Sequence, residues 1–156
     1  MNELAELLIE NGITISSVES FTVGNFATML GSIPGISKVY KGSLITYQSE
    51  TKERLLSIDH ALIEKYGVVS KEIATLMCVN GKSILDTDLC VSFTGNAGPD
   101  AMEGKPVGEV YIGIAYQDVV VYKLNLTGSR QEIASKAVEF AKKKIIEKIN
   151  ENLKKN

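Results

Sequence analysis

The chain has 156 residues, of which 44% are hydrophobic and 23% charged, and a formal net charge of -2. This composition excludes disordered and fibrous classes, and the length suits a single domain over 1–156 that buries about two thirds of its unfolded surface. With no long basic block before the C-terminus, non-specific binding of nucleic acid through its phosphates is not expected.

Met1 to Ile9 carries Leu4, Leu7, Leu8 and Ile9 but also Glu3 and Glu6, with Glu10 next, which is not the pattern of a signal peptide. No run approaches membrane-spanning length, so a cytoplasmic protein without a membrane partner is expected. The two cysteines, Cys78 and Cys90, lie in apolar surroundings without CxxC spacing, implying neither a disulfide framework nor a zinc site. A single histidine, His60, falls in the first turn of a helix after Asp59 as a surface residue, which disfavours any mechanism built on a histidine base.

In chain order, residues 2–11 read as an amphipathic helix closed by Asn11-Gly12. Ile13 to Val18 mixes β-branched residues with Ser and Thr and reads as a strand. Phe26, Ala27, Met29, Leu30 and Ile33 then recur at helical spacing until Pro34-Gly35. Residues 38–48 read as a long or kinked strand around Gly42. Ser49 is expected to cap a short helix through Leu56, and Asp59 to start another that ends at Tyr66-Gly67.

Ser70 opens a helix with apolar face Ile73, Ala74, Met77, Gly81, Ile84 and Leu85, in which Gly81 signals close packing. Leu89 to Phe93 has the continuous apolar character of a buried strand and leads into the tight loop Thr94 to Pro99. Val107–Ala115 and Val119–Leu126 form a hairpin around Tyr116-Gln117-Asp118. Ser129-Arg130-Gln131-Glu132 matches a capping box, followed by a long helix on Ile133, Ala137, Phe140, Ala141, Ile145 and Ile149. These elements predict a three-layer α/β/α sandwich around a mixed β-sheet.

Two apparent motifs fail. Gly81-Lys82-Ser83 resembles the end of a phosphate-binding loop, but Leu76 stands where the first glycine is required and the tripeptide lies inside a helix. The Gly95 to Gly98 loop lacks the rest of a dinucleotide fingerprint. The informative stretch is Val18 to Gly24, a strand-to-helix turn that leaves Ser20 at a sheet edge beside free helical N–H groups. Ser20 there is a candidate nucleophile, although capping by Ser20 or Thr22 accounts for the same pattern.

Two cations stand near helix starts, where the dipole disfavours them by about 0.3 to 1 kcal/mol each: Lys52, third in its helix if Ser49 is the cap, and Arg130, first in its own. Both are tolerable as solvated side chains. A lysine desolvated beside another cation can instead lose its proton below the usual value of about 10.4 and serve a serine as general base. Arg130 offers paired planar donors for a phosphate or carboxylate.

The order and spacing of Glu19-Ser20-x-Thr22-x-Gly24, Pro34-Gly35-x-Ser37, Tyr47-x-x-Glu50-x-Lys52, Gly67-Val68-Val69-Ser70, Thr94-Gly95-x-Ala97-Gly98-Pro99, Lys105-Pro106-Val107-Gly108 and Gly128-x-Arg130 resemble the CinA C-terminal domain family over nearly the whole chain. The resemblance implies a stand-alone amidase that converts nicotinamide mononucleotide to nicotinate mononucleotide and ammonia without metal or cofactor. Ser20 would be the nucleophile, Lys52 its base and Tyr47 an auxiliary polar group. Arg130 would bind substrate or stabilise charge, with Thr22, Gly24, Thr94, Gly95 and Gly98 as further substrate-binding positions. The expected partners are the small nucleotide substrate and, by family analogy, a second copy in a homodimer. Larger relatives carry another domain ahead of this one, and a chain beginning at Met1 with this helix is expected to lack it. Where the family usually reads E-S-C-T-G-G, this chain has Phe21 and Val23 for the cysteine and the fifth-position glycine. Either the pocket is modified or activity has weakened to leave a nucleotide-binding module of the same fold.

Overall fold

The computed structural model describes residues 1–155. Its strands are β1 (Ile15–Glu19), β2 (Tyr40–Ile45), β3 (Leu89–Gly95), β4 (Glu109–Tyr116) and β5 (Asp118–Asn125), joined in one sheet of order β2-β1-β3-β4-β5. β1 runs parallel to both β2 and β3, while β4 is antiparallel to β3 and to β5, so the sheet is mixed. The helices are α1 (Asn2–Asn11), α2 (Asn25–Gly31), α3 (Ser49–Leu56), α4 (His60–Tyr66), α5 (Lys71–Ile84) and α6 (Arg130–Leu153), with a short 3-10 turn at Ile36–Lys38. Among the described residues no helix is long and apolar enough to cross a membrane.

The sheet separates two apolar clusters. Leu4 and Leu8 of α1, Phe26 and Leu30 of α2 and the Ile133–Ile149 face of α6 meet Ile15, Val91, Phe93, Ile112 and Ile114 on one side. Leu56, Ile63, Ile73 and Met77 meet Val18 and Cys90 on the other. The expected three-layer α/β/α sandwich is thus present, and the central strands β1 and β3 are buried on both faces because both faces are covered.

Local signals account for most boundaries. Gly12 closes α1 in the left-handed conformation, where its N–H reaches the carbonyls of Leu8 and Ile9. Ser129 and Glu132 form the full capping box of α6, and Ser70 and Asp59 cap α5 and α4. The kink expected at Gly42 is a register shift, in which Ile15 pairs with Tyr40 but Ser16 pairs with Gly42.

Several expectations need correction. Ser49 is the first residue of α3 rather than its cap, because the extended backbone belongs to Gln48, and Lys52 is therefore fourth in the helix. Ile84 shares the buried face of α5 by its spacing but is 49% exposed, where the helix has run past what covers it, and Cys78 is buried instead. β1 begins at Ile15 rather than Ile13, since the N–H of Ile13 still closes on Leu8 of α1. β4 begins at Glu109 rather than Val107, after a turn in which the Gly108 N–H donates to Asn96.

Gly81 is where α5 touches the sheet most closely: a Cβ there would lie 2.3 Å from Cγ2 of Val18 and 3.1 Å from Sγ of Cys90. Val18 is fully buried and β-branched, so it has little freedom to retreat. Gly81→Ala is expected to destabilise the fold by about 1 to 3 kcal/mol, read as a lower urea midpoint at unchanged slope.

Candidate active site

β1 sits between β2 and β3, and the chain leaves β1 through α2 on one face but returns from β2 to β3 through α3, α4 and α5 on the other. In a parallel sheet this reversal opens a crevice beyond the carboxyl ends of the strands. Ser20 directly follows β1, Thr46 and Tyr47 directly follow β2, and Gly95 ends β3. The Ser20 N–H donates to the Phe93 carbonyl at 3.0 Å and the Thr46 N–H to the Glu19 carbonyl at 2.9 Å, which knits the three strand ends together.

Lys52 reaches this point from the second turn of α3. Its side chain is enclosed, with the residue 1% exposed. The Nζ group donates to the Thr46 carbonyl at 2.6 Å and to Ser20 Oγ at 3.2 Å, with the Tyr47 carbonyl at 3.4 Å. Burial pulls the amine from its usual 10.5 down to about 8, against an opposing pull from the negative charge of Glu103. The cause is enclosure in low dielectric, the desolvation the sequence suggested, but the neighbouring charge is the carboxylate of Glu103 rather than a cation. An amine near 8 is a usable proton acceptor at neutral to mildly alkaline pH, and Ser20 Oγ stands within hydrogen-bond reach of it.

Arg130 begins α6 as expected and faces the same crevice. Its Nη2 donates to the Tyr47 hydroxyl at 2.7 Å, and its Nη1 donates to the Gly98 carbonyl. Ser20, Phe21, Tyr47, Gly98, Asp100 and Arg130 are among the residues lining a cavity of about 240 Å³, to which Gly95 also contributes. A second cavity of about 450 Å³ lies across Phe21 and Arg130 and is lined by Thr22, Val23, Asn25 and Ser135 as well.

Of the residues singled out from the sequence, Ser20, Lys52, Tyr47, Arg130, Gly95 and Gly98 are brought together. Thr22 borders the second cavity, and its hydroxyl donates to Glu19 at 2.7 Å. Gly24 is the left-handed residue preceding α2, and Thr94 is 1% exposed with its hydroxyl on the Val68 carbonyl. Neither Gly24 nor Thr94 lines either cavity.

The capping reading of Ser20 and Thr22 does not hold. Gly24 occupies the cap position and has no side chain to offer, and the first helical N–H groups are taken by Glu19 from the end of β1. Sequence reasoning gave Glu19 no role, although a carboxylate just before a strand-to-helix turn is a usable signal for this kind of cap.

The family model for the CinA C-terminal domain matches residues 1–149. The chain belongs to this family. A provisionally named competence-damage inducible protein of Levilactobacillus brevis is 42% identical over 137 residues, covering 86% of this chain and 33% of that protein. A namesake in Bacillus thuringiensis is 39% identical over 148 residues, covering 94% and 36% respectively. The chain thus spans about a third of the length of the curated relatives it matches. Crystal structures give the same fold: a CinA superfamily protein of Klebsiella pneumoniae aligns with TM-score 0.92 at 25% identity over 95% of this chain and 94% of its own. A competence/damage inducible protein of Agrobacterium tumefaciens aligns with TM-score 0.87 at 28% identity over 95% and 94%.

The two departures from the usual family turn have different consequences. Phe21 is 4% exposed, packs into the core and borders both cavities, so its bulk is taken up largely by the core. Val23 is 58% exposed and lines only the second cavity, so its side chain does not crowd Ser20. Its cost lies in the backbone, since φ is 45°, a left-handed conformation that disfavours a β-branched residue. Val23→Gly relieves a strain of about 1 to 2 kcal/mol and gives back about 0.5 to 1 kcal/mol in chain entropy. A net stabilisation of roughly 0.5 to 1 kcal/mol is expected in urea unfolding.

Proposed function

We propose that this CinA domain is a serine amidase that hydrolyses the carboxamide of nicotinamide mononucleotide, releasing ammonia and nicotinate mononucleotide. The observation that carries the reading is the pairing of a crevice-lining serine with an enclosed lysine whose amine is pulled to about 8, at 3.2 Å. In this reading neutral Lys52 takes the Ser20 proton as Oγ attacks the carboxamide carbon, and the lysine ammonium passes that proton to the NH2 nitrogen, which leaves as ammonia as the C–N bond breaks. Water, deprotonated by Lys52, then cleaves the Ser20 ester and leaves the carboxylic acid.

The tetrahedral oxyanion needs fixed donors. The N–H groups of Phe21 and Thr22, the two residues after Ser20, donate to no acceptor among the described residues and could be offered to it. Arg130, exposed at the head of α6, supplies the charge that suits a substrate phosphate, and Tyr47 and the Gly98 carbonyl hold its guanidinium over the crevice. Metal is not required in this scheme, because side chains supply both nucleophile and base.

Phe21 favours a second reading. A phenylalanine bordering both cavities, directly after Ser20 and where the family usually has a cysteine, fits a domain that binds the nucleotide without turning it over. The amidase reading predicts steady ammonia release that is insensitive to a chelator and lost in Ser20→Ala. The binding-module reading predicts saturable binding without ammonia, with activity recovered in the Phe21→Cys, Val23→Gly double variant.

For the amidase, Lys52→Ala is expected to lower kcat by roughly 100-fold or more, the usual contribution of a general base. Its pH dependence follows from Lys52. The base form grows as pH rises through about 8, so kcat should climb over that range and level off above it. A kcat that is flat from pH 6 to 9.5 would contradict the assignment of Lys52 as base.

A further inference from the structure

Glu19 is the last residue of β1 and is fully buried, yet no cation pairs with its carboxylate among the described residues. Neutral donors satisfy it instead. Oε1 accepts from Ser17 Oγ at 3.1 Å and from the Ala27 N–H at 2.9 Å. Oε2 accepts from Thr22 Oγ1 at 2.7 Å and from the Phe26 N–H at 3.2 Å. The Ser17 hydroxyl also meets Ser43 Oγ of β2, which lies 2.6 Å from the Tyr40 hydroxyl. One carboxylate thus ties three things to one point: the strand before the turn, the turn residue Thr22 and the first amides of α2.

What it ties down is a turn under tension. Val23 at φ 45° is followed by Gly24 at φ 82°, and the turn closes with the Val23 N–H on the Ser20 carbonyl at 3.1 Å. A strained backbone of this kind persists only where its surroundings over-determine it. The helix that follows the turn brings no side-chain cap of its own, so the constraint comes from Glu19.

From this arrangement we infer that Glu19 is a positioning residue, one that holds Ser20 Oγ against Lys52 by clamping both ends of the Ser20–Gly24 turn. The inference rests on the reading of Ser20 as nucleophile. It also carries a chemical requirement. The carboxylate is an acceptor at all four contacts, whereas a glutamine amide has one accepting oxygen and one donating NH2 group, which faces the N–H of Phe26 or of Ala27 whichever way it is turned, while the Ser17 or Thr22 hydroxyl beside it can rotate to accept. Glu19→Gln therefore keeps the volume but loses the charge and one of the two contacts to the α2 amides.

The test measures Ser20 directly. A fluorophosphonate probe phosphonylates an activated serine, with Oγ displacing fluoride and losing its proton, and peptide mass spectrometry locates the adduct. The unmodified protein should label at Ser20, and Ser20→Ala should not. In Glu19→Gln, measured well below its unfolding temperature, the labelling rate is expected to fall at least tenfold. With nicotinamide mononucleotide as substrate, kcat should fall in parallel while KM changes less than threefold, because Arg130 and Tyr47 are untouched.

A folded Glu19→Gln that labels within twofold of the unmodified protein overturns the inference. If Glu19→Gln does not fold, Ser17→Ala decides. It removes one of the four carboxylate contacts, together with the contact to Ser43, at a residue outside both cavities and should slow labelling about threefold, and an unchanged rate overturns the inference. Labelling at Ser20 without ammonia release would refute the amidase reading while leaving the clamp testable by rate.

Discussion

A lysine amine that is 1% exposed, with a serine hydroxyl and two main-chain carbonyls as its hydrogen-bond partners, is held where its charge is poorly supported. Burying an ammonium in this way costs stability, and the cost falls as the group gives up its proton. The protein tolerates that cost at one place, directly behind Ser20. The rest of the site is arranged around it: β2 ends so that the Thr46 and Tyr47 carbonyls face the amine, and α3 carries Lys52 inward from its second turn.

The sheet explains why these parts can meet. Parallel strands β2, β1 and β3 all point their carboxyl ends the same way, and a reversal of winding at β1 leaves that end uncovered. Close packing keeps the layers in register, with Gly81 admitting Val18 against α5 and Gly95 leaving no room for a Cβ beside Val110. On this rigid frame the loop after β3 and the head of α6 are joined by the contact of Arg130 with the Gly98 carbonyl. The crevice walls therefore come from segments far apart in the chain, fixed by the sheet rather than by one another alone.

Much of this was legible in the sequence, and the exceptions have physical reasons. Gly12, Ser70 and the Ser129–Glu132 box act through neighbours in the chain, so their residue types sufficed to mark helix ends. Ser49 misled because a serine beside a helix start serves equally as its first residue when the preceding backbone is extended, as it is at Gln48. Ser20, Lys52, Tyr47 and Arg130 could be named from motif spacing, but their meeting could not. The Ser20–Lys52 contact spans 32 positions and the Arg130–Tyr47 contact 83, and both depend on strand order. Glu19 is named in the motif, but its role is not legible there, because it caps α2 from the end of β1, across a turn, where local capping patterns do not look. The departure at Val23 is visible in the motif, but its consequence, a left-handed backbone at φ 45°, is not signalled by the residue type.

The central claim is that Lys52 is a weakened base poised on Ser20, and its own titration tests this most directly. With lysines labelled with 13C at Cε, the Lys52 resonance, identified by its absence in Lys52→Arg, should titrate with a midpoint near 8, well below the value of about 10.4 for a free lysine. A Lys52 midpoint at or above 10 would show an ordinary ammonium at this position and contradict the account.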